Sequence, residues 1–311
     1  MGSPVFDIGG VVQALHGVRA EWRAAQKRST EPGGREFPSR DAVAGIVESL
    51  KGVLFPMRLG PVDLRQESED FYVGYTLDAA LHALLAQVRL ELRLVDGVPA
   101  GTQPTLVVQQ FAQALPGIRR LLDSDVLAAF HGDPAARSVD EVLLCYPGIL
   151  AMVHHRLAHQ LYRQGLPLLA RILAELAHSS TGIDIHPGAT IGAGFFIDHG
   201  TGVVIGETTL IGERVRLYQN VTLGAKRFST DAQGHLEKGQ PRHPIVEDDV
   251  VIYAGATVLG RVTLGQGATI GGNVWLTQDV APGAHVTQAS SRQEPRAAAV
   301  PRSESVSAVS A

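Results

Sequence analysis

The sequence predicts an α+β chain in two parts: an all-helical module followed by a coil of very short parallel strands. Three observations carry this. Apolar residues in the first half recur at helical spacing, and those in the second half recur every six residues. The change between the two beats is abrupt, at Thr181, where glycine becomes frequent and small residues fill the gaps.

Residues 28–39, "RSTEPGGREFPS", have linker composition, so residues 1–39 are expected to form a flexible, dispensable arm. A helical domain is expected over 40–180. Val43, Ile46, Val47, Leu50 and Val53 form one stripe, and Leu77, Leu81, Leu84, Leu85, Val88 and Leu92 form another. Helical spacing continues from Ile149 to Leu161 and from Leu168 to Leu176, and the module ends near His178. "SVDE" at Ser138–Glu141 fits a capping box, in which the hydroxyl and the carboxylate each satisfy a free backbone N–H. The single cysteine, Cys145, cannot form an intrachain disulfide or a multi-thiolate metal site. It follows an apolar run and is expected to be buried packing.

Over 181–288 the beat of six holds in three runs: Ile185, Ile191, Ile197; then Ile205, Ile211, Leu217, Leu223; then Ile252, Val258, Leu264, Ile270, Leu276. No helix or ordinary amphipathic strand has this period. A coil that turns a corner every six residues does, with each aliphatic side chain stacked inward on its counterpart from the next coil. Two irregularities interrupt it. The step from Ile197 to Ile205 is eight, so "FFIDHGTGVVIGE" holds two extra residues around His199. A long polar segment, 225–244, separates the second and third runs and is expected to leave the coil as a loop, where function concentrates. The last residues, 289–311, have no apolar periodicity and are expected to be a disordered tail.

The net charge of −4 and the lack of a long basic run argue against nucleic acid or an anionic membrane as partner. The start lacks the basic and apolar regions of a secretory signal, and the longest apolar run is too short to span a bilayer. A soluble cytoplasmic protein is the expectation.

Within the repeat region the side chains with catalytic potential are few: Asp184, His186, Asp198, His199, Arg242 and His243. With about eighteen residues per three-sided turn and two extra to place, His199 can fall within reach of Asp184 on the neighbouring coil. A carboxylate on one ring nitrogen leaves the other as a base near neutral pH. Each residue also has a plainer reading: His199 as solvated surface, and "DIHPGA" as corner chemistry, with His186 structural. Arg242-His243, at the return of the long loop, is balanced between surface and site. A zinc centre would need three histidines to converge, and His186, His199 and His243 lack the usual spacing, so no metal is expected.

"DIHPGATIGAGFFIDHGTGVVIGETTLIGERVRLYQNVTLG", with "RHP" and "GATVLGRVTLGQGATIGGNVW", resembles the serine acetyltransferases of the left-handed β-helix, hexapeptide-repeat acyltransferases. The lead-in "GDPAARS…YPGILAMVHHRLAHQLY" is similar as well, and the likeness covers about residues 125–285. The resemblance implies acetyl transfer from acetyl-CoA to the L-serine hydroxyl, the first step of cysteine biosynthesis. It implies His199 as general base, Asp184 as its carboxylate, and Asp133, Asp198, Arg242 and His243 as serine-binding residues. Acetyl-CoA, a co-substrate rather than a tightly bound cofactor, is expected in a groove between subunits of a trimer or dimer of trimers. Gly224, Ala225, Lys226, Ala254 and Gly272 would line it, with Lys226 or Arg227 near the nucleotide phosphates. The chain departs from the family in three places. The 225–244 segment is about twice the usual length, Ala225-Lys226 replaces Gly-Thr, and "SAVSA" ends the chain where many members end in isoleucine. A tail-mediated complex with the cysteine-forming sulfhydrylase is therefore not expected. The alternatives are another hydroxyl acceptor, homoserine or a sugar, and a non-catalytic scaffold.

Overall fold

The structure, a computed structural model, describes residues 6–26, 37–94, 103–226, 234, 236–237 and 239–288. Arg227 and the tail 289–311 lie outside them, as does most of the linker segment.

Part of the arm expected to be flexible is helix α1 (Ile8–Ala25). The Asp7 carboxylate caps it by accepting from the Gly10 N–H at 2.9 Å. None of its residues is buried: Ile8, Val11, Leu15, Val18 and Trp22 are all exposed.

The helical module comprises α2 (Arg40–Leu54), α3 (Pro56–Leu59), α4 (Glu69–Leu94), α5 (Pro104–Gly132), α6 (Val139–Cys145), α7 (Pro147–Arg163) and α8 (Pro167–Thr181). α3, α5, α7 and α8 start on proline, whose missing N–H is no loss in a first turn. α8 runs three residues past His178 and stops at Gly182, which takes the left-handed conformation. Val43, Ile46, Val47, Leu50, Leu84 and Val88 are buried as their spacing requires, while Leu54 takes the inner place expected of Val53.

Two local expectations are corrected. The Ser138 hydroxyl accepts from the Glu141 N–H at 3.0 Å, but the Glu141 carboxylate accepts from Arg137 N–H at 2.8 Å, one residue earlier than a capping box requires. Cys145 is exposed. α6 is only two turns long and buries Val142, so the residues at its C-terminal end turn outward.

From Asp184 the chain winds into a left-handed parallel β-helix with three faces. The first face stacks β1 (Asp184–Ile185), β4 (Val204–Ile205), β7 (Thr222–Gly224), β10 (Thr257–Leu259) and β13 (Trp275–Leu276). The second stacks β2 (Thr190–Ile191), β5 (Leu210–Ile211), β8 (Ile245–Val246) and β11 (Thr263–Leu264). The third stacks β3 (Phe196–Ile197), β6 (Arg216–Leu217), β9 (Val251–Ile252), β12 (Thr269–Ile270) and β14 (His285–Val286). Every residue of the three runs ends or centres a strand and points inward, buried throughout except Leu276, in the outermost strand of the first face. The aliphatic beat is thus the core ladder itself.

A buried ion pair joins the two parts. Arg156 of α7 donates to both carboxylate oxygens of Asp125 of α5, at 3.1 and 3.0 Å, and to the Ile191 and Gly192 carbonyls of the first coil. Asp125 also accepts from the Phe195 N–H at 2.9 Å. Burial pushes its carboxyl up to about 6, with Arg156 opposing the rise.

Candidate active site

The two extra residues are accommodated at one corner. Asp184 registers with Val204, twenty residues on, whereas Val204 registers with Thr222, eighteen on. The added length lies between the third and first faces, where His199 takes a left-handed φ of 57° and Gly200 one of 87°. A Cβ on Gly200 would lie 2.5 Å from the Ile183 side chain, so only glycine allows the bulge to close over the core. The His199 side chain is lifted clear of the wall, 71% exposed.

Around this corner lies a first set of polar groups. His199 Nε2 is 3.8 Å from Asp198 Oδ1, and Asp198 Oδ2 accepts from Arg216 at 2.7 Å. Arg216 also donates to the Gly132 carbonyl at 2.7 Å, at the end of α5, so it binds the helical module to the coil beside Asp133. Asp133 accepts from the Tyr146 hydroxyl at 2.5 Å and the Ala135 N–H at 2.8 Å. The Tyr146 bond, with that from Ala135, holds the Asp133 carboxyl below its ordinary range. The same bond pushes the Tyr146 phenol up to about 12, so the tyrosine stays a donor at any working pH.

A second set lies at the next corner, between the first and second faces. The loop returns there, and the Thr208 hydroxyl accepts from the backbone N–H groups of Arg242, at 2.9 Å, and His243, at 3.2 Å. His243 Nδ1 accepts from the Thr208 N–H at 3.1 Å, which leaves the ring proton on Nε2. A Cβ on Gly206 would come 2.2 Å from that Nε2, so this glycine makes room for the ring. Burial, with Arg242 beside it, pulls His243 down to about 4, and the ring is neutral at pH 7. Arg242 Nη2 donates to Glu207 at 2.6 Å, and Glu207 also accepts from the Tyr162 hydroxyl at 2.9 Å. Burial raises the Glu207 carboxyl, but the bonds from Arg242 and Tyr162 prevail and hold it low. His186 belongs to this corner, half-buried, with Nδ1 accepting from the Gly188 N–H at 3.0 Å, as corner chemistry requires.

The expected pairing of His199 with Asp184 is not made among the described residues. Asp184 stands on the first face, and its carboxylate gathers with Glu175 and His178 of α8, their donor atoms within 4.8 Å of one another. The insertion explains this. It adds length before the first face begins, so Asp184 meets Val204 across the wall while His199 stays at the corner.

The acetyl-CoA residues named above divide in the same way. Ala254 and Gly272 continue the first corner down the coil, where the Asn273 N–H donates to the Ala254 carbonyl at 2.9 Å. Gly224, Ala225 and Lys226 continue the second, where the Gly260 N–H donates to the Gly224 carbonyl at 2.9 Å and Lys226 packs over Gly260. Two columns of candidate residues therefore run along the two edges of the first face.

Sequence reasoning missed Tyr146, Tyr162, Glu207, Thr208 and Arg216. Glu207 and Thr208 stand inside the quoted "VIGETT", where an acid and a hydroxyl beside an inward aliphatic were a readable signal. The others are visible only once the helices are docked on the coil.

Residues 243–278 match the family model for the bacterial transferase hexapeptide (six repeats). A plasmid-encoded serine acetyltransferase of Synechococcus elongatus is 59% identical over 267 residues, covering 83% of this chain and 84% of that protein. The serine acetyltransferase of Bacillus subtilis is 48% identical over 161 residues, 52% of this chain and 70% of its own. Among solved structures, Entamoeba histolytica serine acetyltransferase 1 in complex with L-cysteine superposes with a TM-score of 0.68 at 37% identity, covering 78% of this chain and 86% of that one. On its repeat, its two-part architecture and its identity to these relatives over most of its length, the chain belongs to the serine acetyltransferase family of acyltransferases.

Proposed function

We propose that this protein transfers an acetyl group from acetyl-CoA to the L-serine hydroxyl, giving O-acetylserine and CoA as the first step of cysteine biosynthesis, in sites completed between neighbouring copies of a trimer. One observation carries the reading: the candidate residues fall into two columns on opposite edges of one face. Each column is half a site, and juxtaposing the first column of one copy with the second of the next makes it whole.

Across that junction a serine zwitterion meets complementary groups at both ends. Arg242 binds the α-carboxylate through two N–H groups, and the neutral His243 donates from Nε2. Asp133 and Asp198 of the facing copy take the ammonium. The hydroxyl then lies beside His199, which removes its proton as the oxygen attacks the thioester carbonyl. The tetrahedral intermediate collapses with cleavage of the C–S bond, and the imidazolium returns the proton to the leaving thiolate. Asp184 is assigned the role of orienting His199 and supporting its charge, because one oxygen of Asp198 is already committed to Arg216. The His199 ring is exposed, so packing against the wall does not hold it in one orientation. The pantetheine arm follows the small residues, Gly224 and Ala225 on one copy and Ala254 and Gly272 on the other, with Lys226 toward the phosphates.

The test is a continuous thiol-release assay with acetyl-CoA and, in turn, L-serine, homoserine and sugar acceptors. Rapid CoA release with serine alone supports the proposal. Release only with another acceptor changes the substrate, and none with any acceptor makes the chain a scaffold.

A further inference from the structure

Tyr218 and Tyr253 are stacked on neighbouring coils, their ring centroids 5.0 Å apart and their planes 16° from parallel. They follow the buried Leu217 and Ile252, so both stand at the first corner. The register runs that column as Asp198, Tyr218, Tyr253 and Gly271, and the stack ends where Gly271 offers no side chain. The Arg216 guanidinium lies over the Tyr218 ring at 4.6 Å, and over the Phe196 ring at 4.9 Å. Arg216 bonds through Nη1 to the Gly132 carbonyl and through Nη2 to Asp198, both at 2.7 Å. Its Nε is buried and makes no hydrogen bond among the described residues. Two bonds alone would let the fork rock about the line joining its Nη atoms. The aromatic faces stop it.

We infer that Tyr253 is a positioning residue for the serine site, acting through Tyr218 and Arg216 on Asp198 and on the helix end that precedes Asp133. This rests on the reading of those two carboxylates as the ammonium site. Tyr253 is 42% exposed and stands outside the aliphatic ladder, so the core does not require it. What it does is back Tyr218. Without that backing, a half-buried ring at a corner can turn toward solvent and release the cation it holds. A fork free to rock no longer keeps the two carboxylates, one on the coil and one on the helical module, at a fixed spacing. The chain of contacts ends at those carboxylates, so it bears on serine binding rather than on proton transfer.

The test is a double-mutant cycle in steady-state kinetics: wild type, Tyr253→Leu, Arg216→Met and both together. Tyr253→Leu should raise the serine KM by roughly three- to fivefold, the scale of one cation–ring contact, with turnover nearly unchanged. Tyr253→Phe keeps the ring and should restore the wild-type KM. In the Arg216→Met background Tyr253→Leu should add almost nothing, because the residue it acts through is gone. An unchanged serine KM, or an equal increment in both backgrounds, overturns the inference. So does a rise in the acetyl-CoA KM alone, which would make Tyr253, beside Ala254, a wall of the donor groove. All of these leave the acetyl-transfer reading standing. A wild-type protein that neither binds nor acetylates serine is the separate failure of that reading, and it removes this inference with it.

Discussion

Arg216 Nη2 lies 2.7 Å from Asp198 Oδ2, while the same guanidinium holds the Gly132 carbonyl one residue before Asp133. One cation thus fixes the two carboxylates assigned to the substrate ammonium, one on the coil and one on the helical module. Its plane also rests near the Phe196 and Tyr218 rings, 4.9 and 4.6 Å from their centroids.

Arg216→Met keeps most of the packing and removes the bonds. The expected result is a serine KM raised by roughly tenfold or more, the scale of a lost charge-assisted hydrogen bond, with the acetyl-CoA KM unchanged. Steady-state kinetics varying each substrate separately checks it. Equal changes in both constants would mean a general distortion.

His199→Ala should lower turnover by roughly 100-fold or more, the usual range for a general base. Asp184→Asn should cost less in turnover and leave the serine KM nearly unchanged, whereas Asp198→Asn should mainly raise that KM. If the Asp198 variant shows the turnover defect and the Asp184 variant does not, Asp198 is the carboxylate that supports the base. Circular dichroism should show the coil intact in all three, because none of these side chains enters the aliphatic ladder.

How much of this was legible in the sequence follows from the physics of the repeat. The inward ladder from Ile185 to Leu276 is read directly, because each stacked position depends only on its own place in the six-residue beat. The bulge at His199 is legible for the same reason, as a break in a strict count. What could not be read is which edge of the prism each residue occupies relative to the others. The count of residues says that two are added but not at which corner they are taken up, and only the register of Asp184 with Val204 shows that. Arg216, Tyr146 and Tyr162 were illegible because their partners come from helices far away in sequence.

His243 should make the protein sensitive to acid. Its folded value near 4 is depressed from about 6.5 when unfolded, so between those values the unfolded chain binds a proton that the folded one refuses. The stability it confers is present above about pH 6.5 and falls as pH drops toward 4. His243→Gln should flatten the dependence of melting temperature on pH across that window. An unchanged slope would place the acid sensitivity elsewhere.

Asp125→Asn should destabilise the whole chain, since it leaves Arg156 charged, buried and without its carboxylate. Losing one partner of such a pair costs about 3–5 kcal/mol. Denaturant unfolding measures it, and a loss below about 1 kcal/mol would mean that water or another group replaces the pair.

The most direct test of the divided site is to mix two inactive variants. His199→Ala disables the first column and Arg242→Ala the second, so each alone should be nearly dead. If equal amounts are unfolded together and reassembled, random association places an intact first column against an intact second at roughly one junction in four. About a quarter of wild-type serine acetylation should be recovered, appearing only after subunit exchange. Activity that stays at the level of the separate variants would contradict it, because each chain would then hold its site alone.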